Sequence, residues 1–245
     1  MARIDLKSSS GFPAVYDGEE LLVKDFSFKE KKEITIDDIR NQLLNKELNC
    51  PEIFYSKFKQ LDNEEDLYKK KGFKINFYTL QPNLAGIEYV KTRATRSEKY
   101  PRIFDFVYGG GTVLLQKNNG IRDTRIIKIN VKKKEKIIVP AGYDIVVVNT
   151  RQNSNLIFVE YTSIKANPRV VLDERNGLAY YIIRKNAKQE TVRNPSYKMI
   201  GIPEKIDWDN VRKEYGITPK TPIIKQVMRK YEKFDWLFKE NSVEI

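Results

Sequence analysis

Histidine is absent from all 245 residues, and cysteine occurs once, at Cys50. The first absence rules out Ser-His-Asp and Cys-His catalysis, since both need an imidazole that accepts a proton near neutral pH. It also takes away the commonest transition-metal ligand and leaves carboxylates as the main donors. A lone cysteine closes no internal disulfide, so a reducing compartment is expected, with Cys50 as a small buried hydrophobe. No stretch approaches the roughly 20 apolar residues that span a bilayer. The opening MARIDLKSSSGF also has no apolar signal core, so the expectation is a soluble, cytoplasmic protein with no membrane partner. Internal repeats, low-complexity tracts and βαβ alternation are missing too.

The composition is that of a folded chain with a sizeable core, 40% hydrophobic and 11% aromatic. The formal charge of +12 is unevenly spread: residues 101–200 hold 18 Lys/Arg against 8 Asp/Glu, whereas residues 1–50 hold 8 against 10. An excess of this kind suits anionic partners such as nucleic acid or sugar phosphates, or else solubility and protection of strand edges.

Three segments differ in pattern. In residues 1–73, TIDDIRNQLLNK reads as a helix capped by Thr35, with Ile39, Leu43 and Leu44 as its apolar stripe. NEEDLYKKKG reads as a charged loop. Residues 74–199 are a succession of short β-branched and aromatic runs, including GIEYVKTRA, TRIIKINV and NLIFVEYTSI, broken by GGG, KNNG, PAG and RQNSN. That is the signature of a β-sandwich or barrel. YGGGT lacks the spacing of a P-loop and reads as a tight hairpin. Residues 200–245 turn helical, with Asp207 and Thr221 as caps and Pro222 at a first helical position. Their apolar stripes comprise Trp208, Val211 and Tyr215, then Ile224, Val227, Met228 and Tyr231, then Trp236 and Phe238. Such stripes pack on the chain's own barrel or assemble it with a partner as a structural subunit.

The fragments LAGIEYVK (84–91), RIFDFVYGGGTVLLQ (102–116), VPAGYDIVVVN (139–149) and GLAYYIIRKNAKQETVRNPSYK (177–198) follow one another in a telling order. Together they resemble the archaeal-type, cupin-fold phosphoglucose isomerases, with KTRATRSEKYP as an added loop. The resemblance implies a mainly β protein built on a cupin-like double-stranded β-helix, or jelly-roll barrel; the N-terminal strand/helix region and the C-terminal helical extension come from the residue pattern, and the last 45 residues have no counterpart in the family pattern. The resemblance also implies a homodimer. The family pattern places metal-binding histidines in a Gly-His-x-His motif, a glutamate on the following strand, and a histidine after a Val-Pro turn. Carried over in sequence register, those four positions fall on Ile87, Tyr89, Arg102 and Ile145, none of which is a metal donor. The remaining carboxylates, Glu88 and Asp144, neutralise Arg102 or face solvent.

The expectation that follows is a degenerate member of the family: a metal-free pseudoenzyme with no cofactor and no catalytic residue, whose function has moved to its exterior. The candidate anion-binding and nucleic-acid-binding groups are Lys91, Arg93, Arg96, Lys99, Tyr100 and Arg102 on one loop, and Lys117, Arg122 and Arg125 on another. Lys132, Lys133, Lys134 and Lys136 precede the Val-Pro turn, and Arg184, Lys185, Lys188 and Arg193 flank a late hairpin. Lysines and arginines neutralise phosphates, and nearby tyrosines such as Tyr180, Tyr181 and Tyr197 stack on unpaired bases. RNA or a ribonucleoprotein is therefore the expected partner, in a ribosome-associated or translation-regulating role. The alternatives are a phosphosugar held in the barrel, by Arg102 and Tyr89, or residual isomerase activity.

Overall fold

The computed structural model describes residues 3–118, 124–171 and 175–245, so Arg122 lies outside the described residues. Two antiparallel sheets face each other. The larger has the order Lys136–Val139, Arg102–Tyr108, Leu156–Ser163, Phe73–Leu80, Ile53–Asp62, Ser27–Thr35. The smaller has the order Thr124–Lys132, Gly110–Asn118, Asp144–Val148, Thr95–Arg96, Arg169–Val170. Between Phe73 and Ser163 the chain passes repeatedly from one sheet to the other. That is a jelly roll, the cupin-like double-stranded β-helix expected from the sequence.

The crossings are made by turns with demanding backbones. YGGGT is not a hairpin, because it links Arg102–Tyr108 in one sheet to Gly110–Asn118 in the other. Gly109 has φ 76°, and a Cβ there would lie 2.1 Å from the Asn155 carbonyl oxygen. Only glycine tolerates both conditions. Gly142, at φ 78°, makes the corresponding turn after the Val-Pro pair.

The larger sheet is covered on both faces, which explains its sequence. All eight residues of Leu156–Ser163 are buried, as are the first six of Arg102–Tyr108. Strands buried on both faces read as continuous apolar runs rather than alternating ones. One face turns to the barrel interior. The other is covered by the N-terminal segment and the C-terminal helices, for Leu6, Phe12, Phe77, Ile103, Tyr161, Ile223 and Leu237 belong to one core cluster.

That shared core corrects the three-part division. Strands Ser27–Thr35 and Ile53–Asp62 are hydrogen-bonded into the barrel sheet, and a boundary at residues 73/74 would cut the strand Phe73–Leu80. The C-terminal stripes are likewise spent on the chain's own barrel rather than left for assembly. Trp208, Val211, Ile224 and Val227 are buried, and Tyr215, Tyr231, Trp236 and Phe238 pack against the same core, leaving Met228 exposed.

Local signals fared unevenly. Thr35 forms a capping box with Asp38, but the helix is only Ile36–Ile39 followed by a 3-10 turn at Arg40–Gln42. NEEDLYKKKG contains the helical turn Leu67–Lys70, held down by buried Tyr68. Asp207 caps Trp208–Glu214 as expected. Thr221 does not cap Ile223–Arg229; the Ile223 N–H instead donates to Asp105 Oδ2 at 3.0 Å. Cys50 is exposed rather than buried. Among the described residues no helix is long and apolar enough to cross a membrane.

Candidate functional site

The barrel interior opens through a cavity of about 180 Å³ between the two sheets. Alternation along the strands decides what lines it. Lys32 and Ile34 come from one strand, and Tyr55, Lys57 and Lys59 from its neighbour. Tyr78, Phe104 and Phe158 form the aromatic wall, faced by Thr95, Ile145 and Val147 of the smaller sheet and by Thr92 and Arg93 of the segment leading into it. A larger depression of about 410 Å³ lies outside the barrel beside Asp62, Asp66, Lys69 and Lys74, where charges of both signs are mixed. The barrel cavity is different: among the described residues four cations line it and no acidic side chain does.

The register makes this arrangement strained. Lys32 lies directly opposite Lys57 in the antiparallel pair. Like charges in that relation destabilise a sheet unless an anion sits between them. Lys59 is neutralised by Glu30 at 2.9 Å, and Arg93 stands 3.5 Å from Asp38. Lys57 reaches Glu160 Oε2 only at 3.8 Å and lies over the Tyr78 ring, 4.8 Å from its centroid. Among the described residues Lys32 has no ion-pair partner. Burial lowers the pKa of Lys57, against the opposing pull of Glu160.

Behind the wall runs a buried polar network. Glu160 accepts hydrogen bonds from Asn76 Nδ2 at 2.9 Å and Tyr78 Oη at 2.8 Å, and Arg102 Nη1 lies 3.3 Å from its other oxygen. Burial opposes ionisation of Glu160, but Lys57, Arg102 and these hydrogen bonds outweigh it and hold the carboxyl below its usual range. Burial, then the adjacent Glu160, raises Tyr78 well above the ordinary phenol value, so it stays a donor.

The structure corrects the carried-over positions. Ile87 is 52% exposed on a turn, and Tyr89 is buried in a separate cluster with Leu114 and Tyr180. The segment that flanks Asp144–Val148 lies further along the chain: Thr95 pairs with Ile145, and the Thr92 N–H donates to the Val147 carbonyl. Arg93 and Thr95, two residues apart, are therefore the positions that face the barrel beside Ile145. KTRATRSEKYP is thus part of the barrel wall and not an added loop. Arg102 follows on the next strand, with Nη1 3.0 Å from Thr95 Oγ1. Glu88 and Asp144 do not neutralise Arg102; they pair with Lys91 at 2.5 Å and Arg96 at 2.6 Å.

The residues at these positions do not fit a divalent metal. Two guanidinium groups stand where a cation would be bound, beside an isoleucine with no donor atom. Among the described residues no group of three or more Cys, Asp or Glu side chains converges as a ligand set.

The proposed exterior surface is also thinned. Lys91, Arg93, Arg96, Lys99, Arg102, Arg125 and Lys136 are all committed to ion pairs. Lys136 is 1% exposed and belongs to the interior. Tyr100 donates to Glu240, and Tyr180, Tyr181 and Tyr197 are buried, so none of the last three presents a face for stacking. Lys117 lies over the Tyr143 ring, while Lys132, Lys133, Lys134, Lys185, Lys188 and Arg193 are exposed and Arg184 is half-buried.

Sequence reasoning missed Lys32, Lys57, Tyr78, Thr95 and Glu160. Two signals were available: the i, i+2 spacing of Tyr55, Lys57 and Lys59, and a lone carboxylate inside the apolar run LIFVEYTS.

No curated protein sequence matches the chain. Solved structures similar to it include a vicilin from Solanum melongena, at 12% identity and TM-score 0.39, covering 50% of this chain and 32% of that one. Another is a cupin 2 conserved barrel domain protein from Rhodopseudomonas palustris, at 10% identity and TM-score 0.35, covering 49% and 70%. A third is the 7S globulin of Momordica charantia, at 10% identity and TM-score 0.37, covering 71% and 39%. This chain thus spans about a third of the length of the vicilin. A family model described as glucose-6-phosphate isomerase (GPI) matches residues 28–199. That match overturns the expectation of a protein without enzymatic activity, because it points to sugar-phosphate isomerisation, and it takes in both strands that carry the cavity lysines. The chain belongs to the glucose-6-phosphate isomerase (GPI) family.

Proposed function

We propose that the barrel cavity binds a phosphorylated sugar and interconverts its aldose and ketose forms. The observation that carries this reading is the pairing of Lys32 with Lys57 on neighbouring strands of the cavity wall, with no acidic side chain in the lining among the described residues. A phosphate between the two ammonium groups turns their repulsion into two charge-assisted hydrogen bonds. The aromatic wall of Tyr78, Phe104 and Phe158 then excludes water from the sugar carbons, and Thr92, Arg93 and Thr95 offer polar groups to its oxygens. The test is calorimetric titration with glucose 6-phosphate and with glucose, beside a coupled isomerase assay on fructose 6-phosphate. The phosphorylated sugar should bind and turn over, glucose should not bind, and Lys32→Gln/Lys57→Gln should weaken binding at least about tenfold. Equal affinity for both sugars, or no turnover above a mock preparation, would sink the reading.

A second reading concerns the exterior, where RNA or a ribonucleoprotein is the proposed partner. It is favoured by the placement of the hairpin Tyr180–Lys185 and Lys188–Arg193 on the outer face of the smaller sheet. Gln189 Nε2 donates to Thr112 Oγ1 at 3.0 Å, and Gly110, two residues earlier, pairs with Lys132. Exposed Lys185 and Lys188 are thereby brought toward the Lys132–Lys134 turn. Filter binding to RNA should weaken steeply with salt and weaken further in Lys132→Gln/Lys188→Gln; salt-independent binding, or none at low salt, refutes it.

A further inference from the structure

The residues that replace a metal-ligand set in this barrel are themselves organised. Thr95 lines the cavity, and its Oγ1 accepts a hydrogen bond from Arg102 Nη1 at 3.0 Å. Arg102 Nη2 donates to the Thr95 carbonyl at 2.9 Å, so one guanidinium grips both ends of the same residue. Arg102 is held in turn by Glu160 at 3.3 Å; each of the two side chains is 1% exposed. The Phe104 ring stacks on the guanidinium, 5.4 Å from its centroid. Arg102 Nε is buried with no partner among the described residues, which leaves it an under-used donor in a dry setting. The Thr95 hydroxyl, already accepting from a cation, gives its own hydrogen to no acceptor among the described residues. Thr95 is one of the residues that line the cavity, and accepting from a guanidinium makes a hydroxyl a stronger donor.

We propose that the Thr95 hydroxyl donates to the substrate oxygen that gains negative charge during isomerisation, and that Arg102, held by Glu160, is the positioning residue that polarises it. This rests on the phosphosugar reading and adds to it the source of the positive charge. The charge belongs to the protein, through a guanidinium that stays protonated at any working pH. In the aldose-to-ketose direction the C2 hydrogen moves to C1 with its electron pair and the O2 proton passes to O1, so the step balances within the substrate; the Thr95 proton stays in place, its hydrogen bond shortening as the oxyanion develops. Arg102 touches no substrate and acts through Thr95. The arrangement also explains why arginine rather than lysine stands at position 102. The planar fork bonds Thr95 Oγ1, the Thr95 carbonyl and Glu160 at once with donors in fixed directions, which an ammonium on a flexible stem does not hold.

The test compares wild type with Thr95→Val and Thr95→Ser, using fructose 6-phosphate turnover, calorimetric affinity for inorganic phosphate, and both measurements in EDTA. Thr95→Val should lower kcat by about 10²-fold, the usual effect of losing one oxyanion donor. Phosphate affinity, set by Lys32 and Lys57, should stay within about twofold because no charged partner is lost. Thr95→Ser should recover most of the kcat, which a packing role for the threonine methyl would not predict. EDTA should leave wild-type turnover unchanged; this readout needs no variant and survives if Thr95→Val fails to fold. Full kcat in Thr95→Val, or loss of wild-type turnover in EDTA, overturns the inference while leaving the phosphosugar reading standing. A wild type that binds phosphate but turns over no phosphosugar overturns both.

Discussion

Replacing Lys136 by methionine removes the cation from a sealed ion pair. The Lys136 ammonium lies 3.1 Å from Asp105 Oδ1 and donates to the carbonyls of Lys134 at 2.9 Å and Pro219 at 2.6 Å. Asp105 Oδ2 accepts the Ile223 N–H, so the pair fastens the C-terminal segment to the barrel at two points. Burial already pushes the Asp105 carboxyl up from 3.8 to about 6, against the opposing pull of Lys136 and the Ile223 N–H. A folded-state pKa above the unfolded value means that the native state holds the proton more tightly. The resulting penalty is absent below pH 3.8, grows through the window up to about 6, and is complete above it. Its size is on the order of 3 kcal/mol, since each tenfold gain in proton affinity is worth about 1.4 kcal/mol. Without Lys136 the carboxyl rises further, and Lys136→Met should cost about 3–5 kcal/mol at pH 8, the usual loss when one partner leaves a buried pair. At pH 5 Asp105 takes up a proton, and the loss should shrink by at least about 1 kcal/mol as the buried charge is neutralised. Urea unfolding followed by tryptophan emission measures this well, because both tryptophans, Trp208 and Trp236, lie in the C-terminal segment. Asp105→Asn/Lys136→Met should recover at least half of the loss. A loss below about 1 kcal/mol at pH 8, or equal losses at pH 5 and pH 8, refutes the reasoning.

Three further outcomes are expected. Gly109→Ala places a Cβ 2.1 Å from the Asn155 oxygen at a φ of 76°, so the thermal midpoint should fall by several degrees, at about 2–4 °C per kcal/mol in a chain of this size; an unchanged midpoint in calorimetry contradicts the turn's role. Lys32→Gln relieves the repulsion with Lys57 and should stabilise the ligand-free protein by about 0.2–1 kcal/mol while weakening phosphate binding. A urea midpoint that moves down instead would mean the two ammonium groups are not in conflict. Asp207→Ala removes the oxygen that accepts from the Asp209 and Asn210 N–H groups and should cost about 1 kcal/mol, read in the same urea titration.

What was legible in the sequence was whatever a single strand or turn states about itself. Runs such as RIFDFVY and DIVVV announce strands, GGG and PAG announce turns, and the absence of histidine excludes several chemistries outright. Thr35 and Asp207 cap as their neighbours suggest, because a cap is settled within four residues. The ordered fragments were enough to name the barrel. The site was not legible, because the cavity is made by strands that meet only in the folded chain. Lys32 faces Lys57 through the register of one strand pair, and Glu160 reaches Arg102 across another. A six-residue displacement moved the barrel-facing positions from Ile87 and Tyr89 to Arg93 and Thr95, since only the pairing of Thr95 with Ile145 fixes which residues turn inward. The same holds for charge. Sequence gives its amount and its position along the chain, but tertiary structure decided that Lys136 and Arg102 are interior cations and that Lys132 and Lys188 are exterior ones. Burial and partnership are properties of the packed state, and a basic residue carries no mark of them until its neighbours are in place.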